Sequence, residues 1–167
     1  MADLFTHGAI PYLLGARSLS GSSLFWFVTG GLLPDLGARI PGPLLLLLER
    51  LLPSVELGEG DRWVLGFELL HAPVGLLLLC PLLGFCLPTR MLGIARASVS
   101  GWLLLGAAIH LVLDAFQRHP TPLYAWLYPF STAGWEIGIV STEASFWLWP
   151  ILVPWVIWEQ KRRTARA

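Results

Sequence analysis

The chain has 167 residues, of which 55% are hydrophobic and 13% charged, and its formal net charge is +0 at pH 7. Because a soluble domain typically carries about 25% charged residues, this composition argues against a soluble protein and predicts one integral membrane domain over residues 1–167. The balanced charge gives no general attraction to nucleic acid. The first residues, MADLFTH, lack the basic region of a signal peptide, so we expect insertion through retained helices.

The N-terminal region contains two short apolar segments, residues 8–17 and 20–34. Neither reaches the roughly 20 residues that a membrane-spanning helix needs. They predict either a hairpin of two short helices or one long helix broken near Gly21. The hairpin would return Asp35 to the end where His7 lies, whereas a straight helix would put these residues on opposite sides.

Two further segments precede the second half of the chain. Residues 41–52 are apolar but short, and Pro43 suits the first turn of a helix, so we expect an interfacial or partly embedded helix there. Residues 53–62, PSVELGEGDR, are predicted to form a polar, solvent-exposed loop.

The second half contains the segments best suited to cross a bilayer. Residues 63–87 are long enough, although Pro73 and Pro81 predict a kink or a broken start. Residues 91–115 form a second span, rich in small residues that favour close helix packing. The tryptophan-rich residues 144–158 form the last one.

These segments together predict an all-α fold. We expect a polytopic membrane helical bundle with a short N-terminal helical hairpin and about four to five membrane-embedded helices. The mixed, initially Pro-rich residues 116–142 are expected to be an extramembrane or re-entrant segment between the last two spans.

Basic residues orient the chain. Residues 159–167, EQKRRTARA, form a basic tail that the positive-inside rule places in the cytoplasm. Counting spans back from this tail places the end with Arg90 and Arg96 in the cytoplasm as well, in agreement with the same rule. The start of the 63–87 span and the end of the 91–115 span then meet at the opposite membrane face.

Ionisable residues converge at that face. His110 and Asp114 occur in HLVLD, where the i,i+4 spacing places imidazole and carboxylate on one helical face, and the topology adds His71 and Asp35. Such groups are costly at membrane depth, and a divalent metal would offset their burial because both residue types are common ligands. Alternatively, His110 and Asp114 form a polar pair that stabilises a helix end. His7 joins the set only in the hairpin.

Other polar residues are weaker candidates. Glu68 lies three residues before His71 on the same helical side, and is a candidate ligand, general base or partner that orients His71. It is alternatively an interfacial charge. His119 is within reach of the site but is equally well explained as a solvated loop histidine, and Ser131 has no base nearby in sequence.

The two cysteines and the absence of several catalytic motifs reduce the number of reaction classes that the sequence suggests. Cys80 and Cys86 predict small buried hydrophobic side chains, with a disulfide or a zinc pair as the minor alternative. The sequence contains no phosphate-binding loop, nucleophile elbow, HExxH or CxxC motif. It therefore does not suggest nucleotide hydrolysis, a serine hydrolase, a zincin protease or a thiol redox protein.

The ordered motifs resemble those of the membrane-bound metal-dependent hydrolase family, the YdjM/YbcI-like inner membrane proteins. The resemblance extends over roughly the first 131 residues. It rests on TH at Thr6–His7, GGLLPD at Gly30–Asp35, LLHAP around His71, HLVLD at His110–Asp114 and LYPFS at Leu127–Ser131. The chain departs from the family pattern at Gly37, where a second Asp is frequent, at FELL, which replaces a basic HRG element, and at AFQRHP after HLVLD. The resemblance therefore does not imply a full two-metal set.

The resemblance implies a bacterial inner membrane protein, distantly similar to zinc-dependent phospholipase C. We accordingly expect a metal-dependent hydrolase acting on a lipid or another membrane-accessible ester or phosphoester, with membrane lipid as its partner. Zinc or a similar divalent ion would bind His7, Asp35, His71, His110 and Asp114, with Glu68 as the general base. Two alternatives remain: a non-catalytic membrane protein with a structural metal or polar cluster, and a small metal or ion transporter, which the Pro-broken segments permit.

Overall fold

A computed structural model describes residues 4–39, 51, 69–88, 92–118 and 125–166, and this part of the chain is mostly helical. The elements in order are α1 (Leu4–Gly15), α2 (Gly21–Arg39), α3 (Leu69–His71), α4 (Pro73–Cys86), α5 (Arg96–Phe116), β1 (Gln117–Arg118), β2 (Val140–Ser141), a 3-10 helix (Thr142–Leu148) and α6 (Trp149–Thr164). The predicted helix at 41–52, apart from Leu51, and the predicted loop at 53–62 lie outside the described residues.

The N-terminal segments form a helical hairpin. A short turn after α1 leads to Ser20, whose hydroxyl accepts a hydrogen bond from the Ser23 amide at 3.3 Å and so satisfies a free donor at the start of α2. Helices α1 and α2 pack against each other, with Gly31 against the Pro11 side chain and the His7 carbonyl. The hairpin interpretation is therefore confirmed, and the single straight helix is wrong.

Helices α2 and α5 cross through glycine. A Cβ atom on Gly30 would collide with the Leu103 carbonyl of α5, and one on Gly106 would collide with the Phe27 carbonyl of α2. Two helices can approach so closely only where side chains are absent. The crossing therefore brings the backbone of α2 within reach of side chains on α5.

Helix α4 packs against α5. The short helix α3, which contains His71, directly precedes α4 and packs against it. The helical conformation is interrupted at Ala72, and α4 begins with Pro73 in its first turn, which agrees with the predicted broken start. An apolar cluster fills the space between the helices and includes Leu76, Leu103 and Trp26. The Trp26 indole donates to the Leu92 carbonyl at 2.8 Å, so its polar atom is satisfied within this cluster.

The outer surface of the bundle is apolar. Leu78 and Phe85 on α4 and Val112 on α5 are each more than half exposed. In the part of the chain that the structure describes, α5 alone is long and apolar enough, by length and composition, to cross a membrane, while α4 is apolar but has 14 residues. The number of membrane-embedded helices stays a prediction.

Between α5 and the 3-10 helix, the described residues 117–118 and 125–141 are not helical. Strands β1 and β2 form a two-residue parallel pair, a small departure from the all-α prediction. The Ile137 amide donates to the Ala115 carbonyl at 2.7 Å, so residues 137–141 lie against the C-terminal end of α5. The predicted span at 144–158 begins as the 3-10 helix and continues as α6 to Thr164, so α6 includes most of the basic segment 159–167.

The basic end of α6 packs on the turn of the hairpin. Arg163 donates to the Ala16 carbonyl at 2.7 Å and to the Leu19 carbonyl at 3.0 Å. Arg17 pairs with the buried carboxylate of Glu159 at 3.2 Å. These contacts place the C-terminal end of α6 at the turn, the end of the hairpin remote from His7 and Asp35.

Candidate metal centre

Five polar side chains meet at the open end of the hairpin. Each comes from a different position in the bundle: His7 from α1, Asp35 from the last turns of α2, His71 from α3, and His110 and Asp114 from the last turns of α5. All five are buried, with the least buried of them, Asp35, only 4% exposed. These are the five residues that the sequence predicts to converge, and the structure brings all of them together.

One hydrogen bond sets the orientation of the His110 ring. Its Nδ1 donates to the Gly31 carbonyl at 2.7 Å. The carbonyl is within reach because the backbones of α2 and α5 approach closely at Gly30 and Gly106. A neutral imidazole that donates through Nδ1 has a bare lone pair at Nε2. That atom lies 3.1 Å from Oδ2 of Asp114, one helical turn further along α5.

His7 is oriented in the same way by a carboxylate. Its Nδ1 is 3.2 Å from Oδ2 of Asp35 and donates to it, because an ionised carboxylate can only accept. The bare Nε2 of His7 then faces Oδ1 of Asp114 at 3.3 Å. The His7 and His110 rings lie 3.9 Å apart between centroids, so their Nε2 atoms converge on the same carboxylate.

The convergence leaves acceptors without donors. Four buried atoms, His7 Nε2, His110 Nε2 and both carboxylate oxygens of Asp114, have no hydrogen-bond partner among the described residues. Buried polar atoms in folded proteins are nearly always paired. Four lone-pair-bearing atoms facing one another repel unless a cation or a proton lies between them.

Asp35 and His71 form the second part of the cluster. Oδ1 of Asp35 lies 3.9 Å from Nε2 of His71, and the His71 ring is 5.6 Å from that of His110 between centroids. Asp35 thus faces two histidines, one with each carboxylate oxygen. It connects α2 to both α1 and α3.

The donor atoms fit a metal ion. Two overlapping groups, one of His7, His110 and Asp114 and the other of Asp35, His71 and His110, each place three donor atoms within 4.8 Å of one another. Three ligands that are each about 2.1 Å from one ion and evenly spaced around it lie at most about 3.6 Å from one another. A contraction of up to about 1 Å between donor atoms would therefore let either group hold a divalent ion.

Among the residues that the structure describes, the remaining predicted candidates make no contact with this cluster. Glu68 and His119 lie outside the described residues. Ser131 accepts a hydrogen bond from the Ala133 amide at 3.1 Å. Cys80 and Cys86 are both free, the first buried and the second exposed, so the disulfide alternative is wrong.

One contributor to the site was missed by sequence reasoning, the backbone carbonyl of Gly31. Its signal is the glycine pair in GGLLPD, which lets α2 lie between α1 and α5. A carbonyl has no residue-specific signature, and only the crossing geometry identifies it.

Comparison with protein families identifies the chain. It belongs to the YdjM inner membrane protein family, whose model matches residues 1–167. Comparisons with curated proteins and with solved structures gave no match. The family description supports a membrane protein and assigns no reaction.

Proposed function

We propose that this inner membrane protein is a metal-dependent hydrolase of a lipid or another membrane-accessible ester or phosphoester. A single divalent ion, bound at His7, His110 and Asp114, forms its reactive centre. The observation that carries the proposal is the set of four buried acceptor atoms of these residues that have no donor. A divalent cation satisfies all four at once, whereas burial without one would be costly.

A single ion follows from the chemistry of His110. Both candidate groups include this residue, but its Nδ1 is bonded to Gly31, so only Nε2 is available. One imidazole nitrogen binds one metal ion. The two groups therefore describe one centre, in which Asp35 orients His7 and, together with His71, completes or supports the coordination.

The donor set favours zinc in a catalytic role. Imidazole and carboxylate donors suit zinc, and the all-cysteine or cysteine–histidine sets of structural zinc sites do not occur in this cluster. When bound, such an ion polarises a substrate oxygen and lowers the pKa of water toward about 7. In the hydrolysis, water oxygen bonds to the carbonyl carbon or phosphorus, the ester bond breaks, and the proton passes to the departing alcohol. Glu68 stays our proposed general base.

The membrane arrangement completes the proposal. The bundle is polytopic, with its C-terminus in the cytoplasm and the metal centre near the opposite face. The basic side chains of Arg17 and α6 lie at the hairpin turn, and the centre lies at the open end, which supports this orientation through the positive-inside rule. A lipid headgroup at that interface would reach the centre while its acyl chains stay in the bilayer.

A non-catalytic metal centre is the second candidate. The observation that favours it is burial, since His7 and His110 have no exposed surface. A catalytic ion needs one position open to water or substrate, whereas a structural one is closed by protein ligands.

Metal analysis of the purified full-length chain tests the proposal. We expect about one zinc ion per wild-type chain, and loss of the ion in His110→Ala and Asp114→Asn. Glu159→Gln is the matched control, because it removes a buried carboxylate at the far end of the bundle and should retain the metal. Wild-type protein that binds no divalent ion would overturn the metal centre and leave a protonated polar cluster.

Activity then separates the two candidates. The zinc-loaded wild type is incubated with vesicles of phosphatidylethanolamine and phosphatidylglycerol, and release of water-soluble or fatty-acid product is measured. Turnover that is lost in Asp114→Asn and kept in Glu159→Gln supports the hydrolase. Stoichiometric zinc without turnover supports the structural centre.

A further inference from the structure

A groove between α4 and α5 runs along the membrane-facing side of the bundle. Its volume is about 480 Å³, within the range of sites that hold small ligands. Every described residue that lines it is apolar, with Leu76 and Leu77 contributed by α4 and Leu104, Ala108 and Leu111 by α5. A site of this character binds hydrocarbon and offers no partner to a polar ligand.

The groove is open to the outside of the bundle. Leu77 is 59% exposed and Leu105 is 48% exposed, so its rim faces the surroundings of α4 and α5. The groove is also open at Gly101, where an added Cβ would meet no atom within 4 Å. In an inner membrane protein, surroundings of this kind are the acyl chains of lipids.

The groove ends at residues that neighbour the candidate metal centre along the chain. On α5 it extends from Gly101 to Leu111, which spans about 15 Å along the helix axis. Leu111 directly follows His110, and the groove residue Pro73 lies two positions after His71. The two helices that form its walls thus also carry, or directly follow, two imidazoles of the cluster, whose rings are 5.6 Å apart.

We propose that this groove binds one acyl chain of the substrate lipid and thereby places its ester or phosphoester group at the metal centre, an inference that rests on the proposed function. The chain lies along α5, roughly parallel to the lipids of the surrounding bilayer, with its headgroup end at His71 and His110. The substrate class is consequently an acyl-chain lipid.

A photo-crosslinking experiment tests the groove without requiring metal or turnover. The purified full-length chain is placed in phosphatidylcholine nanodiscs that contain a small fraction of phosphatidylglycerol with a diazirine in its acyl chain. We expect cross-links on the groove walls of α4 and α5 in excess of those on the exposed face of α6 around Ile151. Gly101→Leu fills the groove, and Gly21→Leu is the matched control because that glycine is equally open but lies outside it.

Gly101→Leu should lower the groove cross-links about tenfold, the equivalent of losing the burial of roughly two methylene groups. Gly21→Leu should leave them unchanged, and both variants should keep the metal. For an active enzyme, Gly101→Leu should also slow hydrolysis of long-chain phosphatidylglycerol while sparing a dibutyryl analogue.

Two results would overturn the proposal. Unchanged cross-linking in Gly101→Leu would show that acyl chains do not occupy the groove. A shift from dimer to monomer in Gly101→Leu, without any loss of lipid cross-links, would assign the surface to a second copy of the chain. Failure of the proposed function is distinguishable, since it appears as wild-type protein without metal or turnover whatever the cross-link map.

Discussion

The His110 imidazole donates its Nδ1 proton to the carbonyl of Gly31 at 2.7 Å. This bond joins the middle of α2 to the end of α5, and it leaves the Nε2 lone pair of His110 directed at Asp114. A side chain at Gly31 would contact Pro11 and the His7 carbonyl. The same glycine therefore orients one histidine from α5 and packs against the backbone of the other on α1.

The glycine crossing of α2 and α5 should be sensitive to a single methyl group. Gly106→Ala would drive its Cβ into the Phe27 carbonyl, and overpacking of this kind typically costs about 1–3 kcal/mol. Because the crossing also sets the reach of His110 to Gly31, we expect weaker metal binding together with a lower unfolding temperature. Thermal unfolding in detergent and zinc titration measure the two effects.

Gly101→Ala is the control for this substitution. It introduces the same methyl group on the same helix at a position where nothing lies within 4 Å. Its stability should be equal to or above that of the wild type, by up to about 1 kcal/mol, because alanine is the better helix former. Equal losses in both variants would show that helix crossing is not the cause.

Asp35→Asn should weaken the metal centre without destroying it. The carboxylate accepts the Nδ1 proton of His7 at 3.2 Å and so directs the Nε2 atom of that ring to Asp114. Loss of a partner that orients a ligand typically lowers metal affinity about 10- to 100-fold. Zinc competition titration against a chelator of known affinity measures the change.

The comparison with Asp114→Asn gives this prediction its control. Asp114 lies 3.1 Å from His110 and 3.3 Å from His7, so we expect its substitution to abolish stoichiometric binding. If Asp35→Asn removes the metal as completely as Asp114→Asn does, Asp35 is a direct ligand and not an orienting residue.

The composition, motifs and spacing predicted much of this site. The i,i+4 pair His110 and Asp114 is a local relationship, and helix periodicity places both on one face. His71 followed from the antiparallel order of two spans. His7 depended on a hairpin that the sequence left open, because a break near Gly21 is compatible with either geometry until α1 packs on α2.

The rest of the site depends on tertiary distances. No spacing rule indicates that the Gly31 carbonyl would bond His110, since that contact requires the backbones of α2 and α5 to meet at Gly30 and Gly106. Likewise, the positive charges near the C-terminus predicted an orientation in the membrane but not the bonds from Arg163 to the hairpin turn. Those bonds exist because α6 continues to Thr164.

Arg163 should stabilise the bundle independently of the metal. Its guanidinium bonds the carbonyls of Ala16 and Leu19, which follow α1. Charge-assisted hydrogen bonds contribute roughly 1.5–3 kcal/mol, and partial exposure should reduce the effect of Arg163→Ala to about 1–2 kcal/mol. Unfolding temperature should fall while zinc content stays that of the wild type.

Two variants sharpen this test. Arg163→Lys keeps the charge but cannot reach both carbonyls with a planar fork, so we expect an intermediate loss. Arg166→Ala removes an exposed cation and should change stability by less than about 0.5 kcal/mol. Loss of metal in Arg163→Ala would contradict the separation of the two ends of the bundle.

Membrane orientation is testable with single cysteines at the two ends, in a background of Cys80→Ser and Cys86→Ser. Thr132 lies five residues before Ile137, whose amide bonds the Ala115 carbonyl at the end of α5, so we choose it to mark the site end. Ala165 follows α6 at the hairpin-turn end. Helix α5, which runs between the two ends of the bundle, has 21 residues and is about 31 Å long. We expect Thr132→Cys to react with a membrane-impermeant maleimide in intact cells. Ala165→Cys should react only after permeabilisation, because the basic residues around it favour the cytoplasm. The reverse pattern would place the candidate metal centre at the cytoplasmic face and its substrate in the inner leaflet.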